Sequence, residues 1–162
     1  MKICLRIVMT VLGVYAAAYA VPAAFADFSG GSTREVRKPV DSDVASADKA
    51  INDKDWNKAI EYLTKAVARD DKNADLHNKL GYSERKRGNL DAAFKHYERA
   101  LALDPKHRGV HEYIGEAYLM AGNLAKAEEH LTTLEKLCAS SCEEYRDLKE
   151  AIVEYKQKRA AK

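Results

Sequence analysis

From Asp41 onward, apolar residues recur at helical spacing, and short polar breaks interrupt them. Ala59, Ile60, Leu63 and Ala66 share one helix face. Near the C-terminus Tyr145, Leu148, Ile152 and Tyr155 recur at i, i+3, i+7 and i+10, again one face of an α-helix. Two stretches upstream lack this periodicity. Ile7 to Val21 is apolar apart from Thr10, whereas residues 27–40 combine Ser29, Gly30, Gly31, Ser32 and Thr33 with the pre-proline step Lys38-Pro39. The latter stretch reads as a flexible N-terminal arm.

The breaks themselves repeat. A step of 34 residues superimposes Ala59 on Ala93 and Ala127, Trp56 on Leu90 and Leu124, and Leu63 on Tyr97 and Leu131. Ala47 falls on Gly81 and Gly115, and Ala66 on Ala100 and Leu134. The turns Lys54-Asp55, Gly88-Asn89 and Gly122-Asn123 align in the same register. The second unit, Ala74 to His107, carries His77, Leu80-Gly81, Glu84, Ala93, Tyr97 and Pro105. Small residues at Gly81 and Ala93 let paired helices approach, Gly88-Asn89 permits a tight turn, and Asp104-Pro105 stops the second helix.

With its 34-residue period, this pattern resembles the tetratricopeptide repeat family from about Asp41 to Tyr155. The resemblance implies an all-α fold, an α-solenoid of three helix hairpins over about 40–73, 74–107 and 108–141, closed by a capping helix over about 142–158. Ser141 followed by Glu144 suggests a capping box at the start of that last helix. The first repeat is weak in its first helix, as an end repeat with one neighbour can be.

Residues 1–26 carry Lys2 and Arg6 before the apolar run, then Pro22 and Ala24-Phe25-Ala26. This is the layout of a cleaved signal peptide, with cleavage expected before Asp27. A periplasmic or secreted location and no stable membrane span after cleavage are the corresponding expectations. Composition changes the picture only after the leader is set aside. Of 27 basic residues Lys2 and Arg6 belong to the leader, so 25 remain against 25 acidic ones. A neutral chain without a long basic run offers little for phosphate neutralisation, so no nucleic-acid partner is expected. No G-x-S-x-G, H-E-x-x-H or phosphate-binding glycine loop occurs. A solenoid without a large insertion also lacks an obvious water-excluding site, and we expect no enzyme and no cofactor.

Cys138 and Cys142 are the two cysteines beyond the leader. In an oxidising compartment a structural disulfide between them is the simplest reading, fixing the angle of the cap helix. An alternative brings in His107 and His111, which share a helix face, to complete a four-residue set with Cys138 and Cys142 suited to zinc or copper, or a redox-responsive thiol pair. His96 and His130 also recur at the repeat spacing and are expected on the solvated outer face, as is Tyr62.

The family resemblance further implies a concave groove for an extended peptide or a partner helix. Transferred position by position, it is lined by Val44, Asp48 and Ile51, then Asn78, Tyr82, Arg85 and Lys86, then Glu112, Glu116 and Leu119. Chaperone-binding members hold a terminal carboxylate with a Lys-and-Asn set. Asn78 and Tyr82 occupy two of those places here, so that clamp is incomplete. The function expected is non-catalytic: a protein–protein interaction scaffold or assembly factor.

Overall fold

The computed structural model describes residues 41–161. The expected leader and the arm over 27–40 lie outside the described residues. Seven helices follow one another: α1 (Ser42–Asn52), α2 (Trp56–Arg69), α3 (Ala74–Arg87), α4 (Leu90–Leu103), α5 (Arg108–Met120), α6 (Leu124–Cys138) and α7 (Glu143–Ala160). The described residues contain no strand, and no helix among them is long and apolar enough to cross a membrane.

Local chemistry sets the helix starts. Asp41, Asp55, Asn73, Asn89 and Asn123 stand at N-caps, each side chain accepting a hydrogen bond from a first-turn backbone N–H. His107 does the same for α5 through Nδ1, which accepts from the Val110 N–H at 3.3 Å. At α7 the structure departs from expectation. Cys142, not Ser141, is the N-cap, and it makes no side-chain capping bond. Ser141 is drawn away because its hydroxyl donates to the Cys138 carbonyl at 2.6 Å.

α1 pairs with α2, α3 with α4 and α5 with α6, while α7 packs on both α5 and α6. The helices approach one another closely at small residues. A Cβ added to Gly81 would stand 2.6 Å from Cε1 of the Tyr97 ring, and Ala59, Ala93 and Ala127 are fully buried. Successive odd-numbered helices also touch, α3 with α5 and α5 with α7, whereas the even-numbered helices do not pack on one another in this way. Helices on the inside of a curve crowd together. The odd-numbered helices therefore form the inner, concave layer, which is where the candidate site lies.

Candidate functional site

The inner face is built from α3, α5 and α7. Tyr82 is half-buried at its centre, its ring centroid 5.9 Å from that of Trp56 and 5.0 Å from that of Tyr113. The Arg85 guanidinium lies 5.5 Å from both tyrosine ring centroids, and the Lys86 ammonium lies 5.4 Å from that of Tyr82. Beyond them opens a depression of about 330 Å³, bounded by Arg85, Glu116, Met120, Tyr155 and Lys158 among others.

The expected groove residues divide into two groups. Tyr82 and Glu116 are half-buried and Lys86 is exposed, so these three can meet a ligand. Asn78, Arg85, Glu112 and Leu119 are buried. Arg85 is the clearest case. Only 5% exposed, it is held by Glu116, whose Oε2 is 2.5 Å from Nη2. That pairing locks the guanidinium against the two rings rather than offering it to solvent. In the first repeat Val44, Asp48 and Ile51 are half-buried, and the Asp48 carboxylate is paired with Lys79.

Burial shapes the acid–base behaviour of the face. Desolvation pushes the Glu112 carboxyl up to about 8; Glu116, Asp147 and Glu144 add to the shift and Arg85 opposes it. Tyr113 is pushed up to about 12, first by burial and then by Glu112. Tyr97, behind Arg85, is raised further by burial, and Arg85 opposes the shift.

The histidines are placed otherwise than expected. His96 and His130 are half-buried, each against the histidine of the preceding helix. His77 Nε2 lies 3.0 Å from the Asp71 carbonyl and His111 Nε2 lies 3.1 Å from the Pro105 carbonyl. A carbonyl only accepts, so both Nε2 atoms donate, leaving each neutral ring an accepting Nδ1. His96 then donates from Nδ1 to His77 at 3.3 Å, and His130 from Nδ1 to His111 at 2.9 Å. Burial pulls His130 down to about 4 and lowers His96 too, the facing histidine adding to each shift. Tyr62, also expected outside, is half-buried against the core formed by Ala47, Leu63, Ala66, Leu76 and Leu80.

These partnerships separate the residues of the metal alternative. His107 Nε2 faces Asp75 at 2.9 Å and His111 faces His130. Cys138 and Cys142 face each other with α-carbons 5.8 Å apart, within disulfide reach. Among the described residues no three metal-ligating side chains come together.

Sequence reasoning missed Tyr113, Met120, Tyr155 and Lys158. Tyr113 stands 31 residues after Tyr82, off the period, and the other inner-face contributions of α7 follow from its packing on α5. The apolar face of α7 was legible, but which side of the solenoid it would complete was not.

Comparison with known proteins agrees with this architecture. Models described as tetratricopeptide repeat match residues 44–108 and 84–152. Among curated proteins, no sequence matches the chain. The fold is similar to that of the type III secretion translocator chaperone SycD of Yersinia enterocolitica, with 20% identity, a TM-score of 0.65, and coverage of 73% of this chain and 83% of that one. It is similar to SycD solved with a peptide of the translocator YopD, at 20% identity and a TM-score of 0.61, covering 75% and 99% of the two chains. The second such domain of human RPAP3, solved with an HSP70 peptide, is 21% identical with a TM-score of 0.63, over 71% and 92%. From its repeats, its hairpins and these matches, the chain belongs to the tetratricopeptide repeat family.

Proposed function

We propose that this chain is a non-catalytic interaction scaffold that holds an extended peptide or a partner helix on its concave face. The observation that carries the reading is the cluster of half-buried Tyr82 and Tyr113 with exposed Lys86, stiffened by the Arg85–Glu116 ion pair and opening onto the α5/α7 depression. Rigid aromatics over an immobile support give contact area at little entropic cost. Similar folds solved with bound peptides support a peptide-binding use. The small extent of the groove points to affinities in the micromolar range.

The protein is exported in this reading and works in the periplasm or outside the cell after loss of residues 1–26, with Cys138 and Cys142 joined as a structural disulfide. N-terminal sequencing of the mature chain should begin at Asp27. Intact mass without reductant should fall below the reduced value by two hydrogens for the pair.

Capture of partners by tagged wild type and by a Tyr82→Ala/Lys86→Glu double variant tests the binding face. Arg85 is unsuitable for this purpose because its removal would leave Glu116 unpaired. Partners lost in a variant of unchanged helicity support the assignment. Partners retained at wild-type level would sink it.

A further inference from the structure

We infer that the α5/α7 end of the groove receives a lysine or arginine side chain of the bound segment, held by Glu112, Glu144 and Asp147 with the Asn78 carbonyl oxygen as a further acceptor. The inference rests on the peptide-binding reading above and specifies the chemistry of its ligand.

This end is rich in carboxylates, and the two cations beside them, Arg85 and Arg108, are already paired. On α3, the Arg85 cation that faces Glu112 is committed to Glu116 at 2.5 Å. Glu144 on α7 shares Arg108 at 3.5 Å. Glu112 and Asp147 have no ion-pair partner among the described residues. Glu112 is 8% exposed, with Glu116 on its own helix and Glu144 and Asp147 on α7 acting against its ionisation. Asn78, only 9% exposed, has an Oδ1 without a hydrogen-bond partner among the described residues. Its Nδ2 stands 3.3 Å from where a Cβ on Gly109 would lie, so its amide faces α5 one turn before Glu112.

A buried acceptor without a donor and a carboxyl crowded by like charges are both unfavourable. An incoming ammonium or guanidinium relieves both at once, bringing several N–H donors and a positive charge. An acidic segment would instead add a further negative charge beside Glu112, Glu116, Glu144 and Asp147. The exposed positive charge of Lys86 is next to Tyr82. The face therefore favours a segment of mixed polarity with its basic residue toward α7. Because the Glu112 carboxyl holds its proton until about pH 8, docking of a cation at neutral pH should expel that proton.

The test is selection from a random linear-peptide library on the purified chain, with binders measured by anisotropy and titration calorimetry. Selected peptides should carry Lys or Arg. Replacement of that residue by Gln, or Asp147→Lys in the protein, should weaken binding on the order of tenfold. In buffers of differing ionisation enthalpy, wild type should release about one proton per peptide at pH 7, and the near-isosteric Glu112→Gln none. Binders that depend on Tyr82 and Lys86, yet lack a basic residue or ignore Asp147→Lys, would overturn this inference and leave the parent reading standing. A library yielding no binder dependent on Tyr82 and Lys86 would overturn both.

Discussion

Lys54, Gly88 and Gly122 share one register, and all three adopt a left-handed backbone, with φ of 58°, 93° and 80°. Glycine takes that conformation freely; lysine does not. Lys54→Gly should therefore raise stability, by about 0.5–1 kcal/mol in urea denaturation. The close approaches at Gly81 and Gly115 look alike in sequence but differ in what they meet. A Cβ on Gly81 strikes the fully buried Tyr97 ring at 2.6 Å, whereas one on Gly115 strikes the Leu148 methyls at 2.6 and 2.7 Å. A ring in a packed core has nowhere to go, and a leucine terminus can turn. Gly81→Ala should cost about 2–3 kcal/mol and Gly115→Ala distinctly less; thermal melts followed by circular dichroism will rank them.

Two residues give opposite pH dependences. The folded Glu112 carboxyl keeps its proton up to about 8, against 4.5 for an ordinary one. The folded state thus binds more protons than the unfolded one across that window, and stability from this group falls as pH rises through it. Glu112→Gln should flatten the fall, adding on the order of 2 kcal/mol at pH 8. His130 is held down to about 4 from 6.5. Between those values the unfolded chain binds more protons, so its contribution is present above pH 6.5 and is lost as pH falls toward 4. His130→Phe should blunt acid unfolding in that range, read from denaturation midpoints at successive pH values.

At the level of elements, the hairpins were legible because their determinants are local and periodic: Asp or Asn caps, turn residues and small residues at the crossings. The link between α6 and α7 was less so. Ala139 and Ser140 both take positive φ, 48° and 63°, to reverse the chain between the two cysteines, and Ser141 bonds backward instead of capping α7. Non-glycine residues in that conformation have no strong sequence signal. The Cys138–Cys142 loop is short, so a disulfide there contributes about 2 kcal/mol at most through chain entropy. Replacing both cysteines with serine should consequently leave the three hairpins folded. Hydrogen exchange should quicken mainly in α7, where Cys142 lies in the core with Leu148 and Ile152.

Across the whole molecule, the sequence showed which helices repeat but not how charge is compensated between them. Arg85 and Glu116, 31 residues apart, pair off the repeat period, so the burial and pairing of the expected groove residue Arg85 had no periodic signal. Its burial follows from the two tyrosine rings and the carboxylate that surround it. The histidine pairs had a visible signature, because His77 with His111 and His96 with His130 recur in one register. Placing His96 and His130 on the solvated outer face, apart from His77 and His111, concealed it. Removal of Glu116 as Glu116→Ala should leave a buried unpaired guanidinium and cost about 2–4 kcal/mol, a loss urea titration would detect.

The most direct measurement is site-specific photocrosslinking in the native compartment, with the reactive group placed at Tyr82 on the concave face and at the exposed Lys95 on α4 of the outer layer. An interaction scaffold working through its inner face should give a discrete crosslinked partner from position 82 and none from position 95. Equal crosslinking from both positions, or a partner from position 95 alone, would contradict it.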